Sequence, residues 1–385
     1  MSIKTIAHLA HQRITSESGL SFKRSHFYEL IAAAFGYGSS AALTVDAVLF
    51  VGDYPVAPNQ QVSCIAALIA RCRELGYSEG DAEIIASRLW DVLSELRIDV
   101  VRLAVLVRSL RGEYLDDFSE EDEGDDPDGV DHNLPWVNLD LAKGGDPADV
   151  AILLESLHAG AGRDVALAHY ALALLHEPDL DAEQSHEPRS YWYEQRQKGA
   201  VLEGVKIEWA DSYERLLAAR HTYQHHLSAA ARLGHADALV DMARHFKHDT
   251  VFDADLDLSQ QNPREMAELA LQVRRDDKAK HWLTIAAETG DTCAMRELIE
   301  GYDAADLRRC WMWLHLATLH GVDLTTDDHH AIHEDGSEYD DDIGRPMYVG
   351  GVDGIKLAPL TPEGDARALQ AAREILSRRD SSPRT

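Results

Sequence analysis

The sequence has few of the features that mark secreted or membrane proteins. Its four cysteines, Cys64, Cys72, Cys293 and Cys310, form neither a C-x-x-C pair nor a dense framework, which predicts reduced thiols. The most apolar run, RLAVLVRSL, is interrupted by Arg108, and the opening MSIKTIAHLAHQRITSESG has no continuous apolar core. We therefore expect no signal peptide, no membrane span and a cytoplasmic location.

Positive charge is also scarce. The chain has 37 Lys and Arg against 67 Asp and Glu, a net charge of −30. Residues 1–112 hold 11 of each sign, so the remainder, with 26 basic and 56 acidic residues, carries the whole excess. Such a surface repels phosphate backbones and anionic lipids and speeds encounters with basic proteins. Composition makes nucleic acid an unlikely partner and predicts a protein partner with a basic patch.

Recognisable catalytic motifs are missing. The sequence contains no G-x-S-x-G, no H-E-x-x-H and no cysteine in a familiar nucleophile setting, and each of those motifs would place a nucleophile or base in a defined context. Carboxylate pairs are abundant in any acidic chain and identify no acid or base. We expect a non-catalytic protein without a cofactor.

Helical periodicity dominates what is present. Apolar residues recur at steps of three and four in residues 1–112, a region that can also be divided into 1–60 and 61–112;. SFKRSHFYELIAAAFGYGSSAAL resembles a small bacterial helical module of unclear role. DAEIIASRLWDVLSELRIDVVRLAVLVRSL fits one long helix or two. It ends in a basic stripe, which is either a solvated helix face or a contact for an acidic partner; the stripe consists of Arg97, Arg102, Arg108 and Arg111;.

An acidic segment then separates two regions. DDFSEEDEGDDPDGVD, residues 116–131, has ten acidic residues in sixteen, and such density cannot bury apolar surface. We predict an acidic linker over residues 113–135.

A repeated spacing follows the linker: an Ala, a Gly three residues later and a small residue four residues after that. The Gly suits a helix end and the small residue suits close helix packing, so each copy predicts an antiparallel helical hairpin. The positions are Ala159, Gly162, Ala166; Ala231, Gly234, Ala238; and Ala287, Gly290, Ala294.

The segments AKHWLTIAAETGDTCAMREL and LSAAARLGHADALVDMA resemble the Sel-one-like repeat (SLR) family, which is related to tetratricopeptide repeats. The resemblance covers roughly residues 136–325, with Trp282 at the family's aromatic position. It implies an α/α superhelical solenoid that acts as an adaptor or scaffold. The predicted fold class is all-α, with a separate helical N-terminal region.

Residues 326–385 are predicted to form an acidic loop and a C-terminal capping helix. Two histidine groups are weak metal candidates: His221 and His225, four apart on one helix face, and His329 and His333 in an acidic segment;. A solvated histidine face and a polar connection are the simpler interpretations of these groups.

Three functional hypotheses remain. The favoured one is a protein–protein adaptor or scaffold. An inhibitor or immunity-type protein for a basic partner is one form of this hypothesis. The first alternative is a metal-dependent hydrolase that uses the His/Asp-rich segments. The second is a regulator that contacts nucleic acid through the N-terminal region. The sequence leaves the partner's identity and the oligomeric state open.

Overall fold

A computed structural model describes residues 3–20, 23–52, 58–112, 147–178, 187–334, 336–337, 339 and 347–381. The predicted acidic linker lies outside these residues. The described chain is mostly helical, with 16 α-helices and four short strands, which confirms the predominantly α-helical class. None of the described helices is both long enough and apolar enough to cross a bilayer. The chain forms two compact units, Met1–Met242 and Ala243–Thr385.

The first unit contains ten helices and two strands within its described residues. These are α1 Ile3–Ser18, α2 Arg24–Ala34, α3 Ser40–Asp46, β1 Ala47–Val51, α4 Pro58–Glu74, α5 Glu79–Glu95, β2 Ile98–Arg102, α6 Leu103–Leu110, α7 Pro147–Ala161, α8 Ala166–Leu175, α9 Glu187–Gln197 and α10 Val205–Arg232. Helix α11, Ala236–Phe246, contains the boundary between the two units.

The second unit is built around helical pairs and a two-stranded ribbon. Its elements are a 3₁₀ turn Thr250–Phe252, α12 Pro263–Gln272, α13 Asp276–Glu288, α14 Thr292–Glu297, a π-helical turn Leu298–Tyr302, α15 Leu307–Leu319, β3 Asp328–Ile332, β4 Tyr348–Val352 and α16 Pro362–Ser381. The predicted C-terminal helix is therefore present as α16, and it packs against α15.

The N-terminal region and α7 share one core. Strands β1 and β2 pair antiparallel, with Ala47 opposite Arg102 and Val51 opposite Ile98. Helix α7 packs on β1, and Ile152 of α7 belongs to the same buried cluster as residues of α1, α2 and α5. The structure thus divides the chain at residue 243 and joins the predicted N-terminal region to the start of the predicted solenoid.

Strand β2 changes the interpretation of the arginine stripe. The segment expected to be one or two helices is α5, then β2, then α6, because Ile98, Val100 and Val101 favour extended backbone beside the buried strand β1;. Arg97 lies in the turn at φ 51°, and Arg111 donates a 2.9 Å hydrogen bond to the Tyr170 hydroxyl. The four arginines do not lie on one helix face.

Two of the three predicted repeat turns have the expected geometry. Gly234 and Gly290 have φ values of 87° and 106°, and the next residue in each turn, His235 or Asp291, donates its N–H back to a helix carbonyl at 3.1 or 3.0 Å. This is the Schellman end of a helix. Ala238, four residues after Gly234, is fully buried, as the spacing predicts.

The first repeat copy was predicted in the wrong register. Its left-handed residue is Asp164, at φ 57°, whereas Gly162 has no positive φ and Ala159 is exposed. The buried small residue four positions after Asp164 is Ala168 rather than Ala166. The neighbouring Gly160 permits the close approach, since a Cβ there would lie 2.9 Å from the Cβ of Ala168.

The core of the second unit contains two tryptophans. Trp313 is fully buried and Trp282 packs partly buried against the same cluster. Ala287 and Ala294 are also fully buried. Helical hairpins are present at the second and third copies, while a continuous solenoid over residues 136–325 stays a prediction.

Candidate functional site

The strongest grouping of ligand-type side chains lies at the base of the β3–β4 ribbon. Asp327 precedes β3, His329 lies within it, and Asp353 follows β4. One ligand atom from each residue lies within 4.8 Å of the other two, and the His329 Nε2 and Asp353 Oδ1 atoms are 2.9 Å apart. All three side chains are exposed.

The ribbon register explains this grouping. Asp328 pairs with Val352 and His329 with Gly351, so one further step sets Asp353 opposite Asp327. Side chains alternate between the two faces of a strand, which places Asp327 and His329 on one face. A Cβ at Gly351 would overlap the carbonyl oxygen of Asp328, so the close approach of the two strands requires glycine there.

The Asp327 carboxylate is held in its charged form. The Gly354 N–H donates a 2.8 Å hydrogen bond to Asp327 Oδ1. That bond lowers the pKa of Asp327 below its ordinary value, and the charges on Lys356 and His329 lower it further. The carboxylate is therefore oriented and anionic near neutral pH.

The other predicted metal candidates do not join this group. His221 and His225 are exposed on α10, and among the described residues no set of three metal-ligand atoms includes either of them. His333 lies against Tyr339, with ring centroids 5.0 Å apart, and is likewise outside the described ligand set. Of the four candidates, the structure brings only His329 into a described ligand group.

A histidine cluster is buried in the first unit. The Nδ1 atoms of His169 and His226 lie 3.0 Å apart, and His169 Nε2 lies 3.1 Å from the Ala161 carbonyl oxygen. Burial, followed by the charges of nearby His169 and His225, lowers the pKa of His226 to about 4. Residue spacing alone does not indicate that His226 meets His169, since the two lie 57 residues apart.

Two buried carboxylates are fully engaged in structural contacts. Tyr170 donates a 2.6 Å hydrogen bond to Asp241, and burial together with Asp241 raises the pKa of the Tyr170 hydroxyl. In the second unit, Lys280 Nζ and Arg309 Nε each lie 2.8 Å from an oxygen of Asp303. The Asp303 charge is therefore paired within the fold, and removing a partner would leave it uncompensated.

The buried thiols are poor nucleophiles. Burial raises the pKa of Cys72 to about 11, and burial followed by the charges of Asp303 and Asp306 raises the pKa of Cys310. A thiol with a raised pKa holds little thiolate at neutral pH. Neither cysteine therefore suits covalent catalysis.

The α9–α10 hairpin carries an exposed apolar tip. Helix α9 packs along the N-terminal half of α10, where Arg196 bonds Asp211 at 2.5 Å, while the C-terminal half of α10 packs on α8. Four large apolar side chains within nine residues at the tip are at least 36% exposed: Val201, Val205, Ile207 and Trp209. We call these four residues the hairpin tip.

Comparisons of the chain with protein-family models, with curated proteins and with solved structures found no match. The resemblance to Sel-one-like repeats therefore stays a prediction from the sequence.

Proposed function

We propose that this protein is a non-catalytic adaptor that binds another protein, and that the hairpin tip is the apolar anchor of the complex. The observation that carries the proposal is the exposure of Val201, Val205, Ile207 and Trp209 at the tip of a two-helix projection. Val205 and Trp209 lie four residues apart and share one face of α10;. An exposed apolar patch marks an interaction surface, and tryptophan is enriched among the residues that dominate binding energy.

The scaffold of the hairpin supports a binding role. Arg196 bonds Asp211 and also Glu214, at 2.5 and 2.7 Å, and the rings of Tyr193 and Tyr213 lie 5.4 Å apart. These contacts join α9 to α10 below the tip. A surface presented on rigid helices loses less conformational entropy on binding than a loop does.

Charge supplies the second part of the proposal. The net charge of −30 favours a partner with a basic patch, because opposite charge raises the association rate. The hairpin tip then sets the dissociation rate through burial of apolar surface. Electrostatics and apolar contact therefore act on different steps of the same encounter.

The test is purification of the tagged protein from its native cell, with quantitative mass spectrometry of what accompanies it. We expect one protein in stoichiometric amount with the wild type, and at least tenfold less of it with the double variant Val205→Asp, Trp209→Ala. Val62→Asp is the matched control, since Val62 is 71% exposed on α4, away from the tip.

Two results would contradict the proposal. One is the lack of any stoichiometric protein partner with the wild type. The other is equal recovery of the partner with the tip variant and with Val62→Asp. Circular dichroism of each variant establishes that its helical content is unchanged.

A further inference from the structure

We infer that Asp327, His329 and Asp353 form a binding site for a first-row divalent cation of the zinc class, which clips the two strands of the β3–β4 ribbon together. The inference is independent of the proposed adaptor function, because it concerns the second unit and not the hairpin tip. It starts from three side chains that come from both strands at the base of the ribbon and meet on one face.

The distances suit a single ion. Zinc bonds to carboxylate oxygen and imidazole nitrogen are about 2.0–2.2 Å long, which sets ligand atoms of a tetrahedral site roughly 3.3–3.5 Å apart. The three ligand atoms lie within 4.8 Å of one another. Two of them, His329 Nε2 and Asp353 Oδ1, are hydrogen-bonded at 2.9 Å, and a bound ion would replace this contact. Because the side chains are exposed, small rotations bring them to bonding distance.

The donor set selects the class of ion. Two carboxylates and one imidazole suit zinc, manganese or iron, whereas calcium and magnesium prefer sites made only of oxygen ligands. The Gly354 N–H that donates to Asp327 Oδ1 orients that carboxylate, as hydrogen bonds to metal ligands commonly do. His329 therefore distinguishes this site from an acidic patch.

The ribbon itself supplies an independent reason for a ligand. Both strands are largely exposed, and a two-stranded ribbon without a second layer is at best marginally stable in water. Asp327 and Asp353 are opposed across the strands, an arrangement of like charges that destabilises a pair. A bound cation neutralises this repulsion. It also links two strands that are far apart along the chain.

The ribbon is anchored to the second unit at its base. Ile355 donates its N–H to the Leu324 carbonyl at 2.9 Å, and both side chains belong to the core of the second unit. Going outward from this hydrogen bond towards the strands, the next pair of residues that face each other is Asp327 and Asp353. Ion binding is therefore expected to extend ordered pairing outward from the base.

The test combines calorimetric titration of the full chain with zinc chloride and hydrogen exchange measured by mass spectrometry. We expect zinc to slow amide exchange in Asp328–Ile332 and Tyr348–Val352. With Asp353→Asn or with His329→Gln, at least tenfold more zinc should be required to reach the same protection. Asp328→Asn and His330→Gln are matched controls from the opposite face of β3, and they should leave it unchanged.

Three outcomes would overturn the inference. Saturating zinc with no change in ribbon exchange is one. Zinc-dependent protection that persists equally in Asp353→Asn and His329→Gln is another. The third is equal protection by calcium chloride with no effect of His329→Gln, which would show an acidic patch that attracts any divalent cation.

Discussion

His169 and His226 share one proton across a 3.0 Å contact between their Nδ1 atoms. The Ala161 carbonyl oxygen can only accept, so the His169 Nε2 atom, 3.1 Å away, carries that ring's proton. His169 Nδ1 is then an acceptor, and His226 donates to it. A second proton on His169 would occupy Nδ1 and set two donors against each other, so this ring is neutral in the folded protein. Burial and the neighbouring histidines lower the pKa of His226 and keep that ring neutral as well.

This contact predicts a loss of stability in mild acid. The pKa of His226 is lowered to about 4 in the folded chain, against about 6.5 when unfolded. The unfolded state thus binds more protons between these values, and the free energy of unfolding falls as the pH drops from 7 towards 4. The loss from His226 is about 3 kcal/mol.

Urea denaturation at several pH values measures this dependence. His226→Asn keeps a donor and removes the titrating group, so its unfolding free energy should depend less on pH than that of the wild type. His221→Gln, at an exposed position on the same helix, should retain the wild-type dependence. An identical pH profile for His226→Asn and wild type would rule out His226 as the source.

The corrected repeat register makes a second prediction. Asp164 occupies a left-handed conformation, φ 57°, which costs a non-glycine residue roughly 1 kcal/mol. Asp164→Gly should therefore stabilise the protein by about 0.5–1 kcal/mol, and Gly290→Ala, at φ 106°, should destabilise it by about 1 kcal/mol. Thermal unfolding by calorimetry compares the two variants.

Gly80→Ala is the control for helix propensity, because Gly80 lies in α5 without positive φ and its Cβ would meet open space. It should be neutral or slightly stabilising. If Asp164→Gly destabilised the protein as much as Gly290→Ala does, the shifted register would be incorrect.

A third prediction concerns the buried carboxylate of Asp303. Burial by itself raises its pKa, but hydrogen bonds from Lys280 and Trp313 and the charge on Arg309 outweigh this, and the pKa lies below its ordinary value. Asp303→Asn leaves two cations without their partner. Because Lys280 and Arg309 are each 39% exposed, water compensates part of their charge, and we expect a loss of about 1–2 kcal/mol.

Chemical denaturation of the full chain tests this loss, with the denaturation midpoint as the measured quantity. Asp255→Asn, an exposed carboxylate in the same unit, should leave the denaturation midpoint unchanged. The prediction fails if Asp303→Asn and Asp255→Asn have the same midpoint. Since the pKa of Asp303 is lowered on folding, its contribution is present near neutral pH and is lost as the pH falls through the folded pKa.

Much of the local structure followed from residue spacing. Gly234 and Gly290 ended their helices as predicted because only a left-handed residue lets the chain reverse there;. The strands were missed because AVLFV at residues 47–51 is a short apolar run, and such a run suits a buried strand and a buried helix equally well;. Pairing with β2, some fifty residues later, selected the strand.

The candidate sites show the same division. His329 was recognisable from its acidic surroundings, but Asp353 is 24 residues away in the sequence, and only the strand register brings the two together. His226 was overlooked because periodicity on α10 does not show that His169 lies opposite it. The hairpin tip was not predicted either, since exposure of an apolar residue depends on what packs over it.

The sequence by itself determined that this chain is mostly helical, strongly acidic beyond residue 112, and turned at specific glycines, because periodicity, charge and backbone freedom are local properties. Tertiary structure decided that α7 completes the N-terminal core, that Asp164 rather than Gly162 ends a helix, and which histidines meet. Those outcomes depend on packing between residues distant in the chain, and packing energies belong to the assembled core rather than to any one segment.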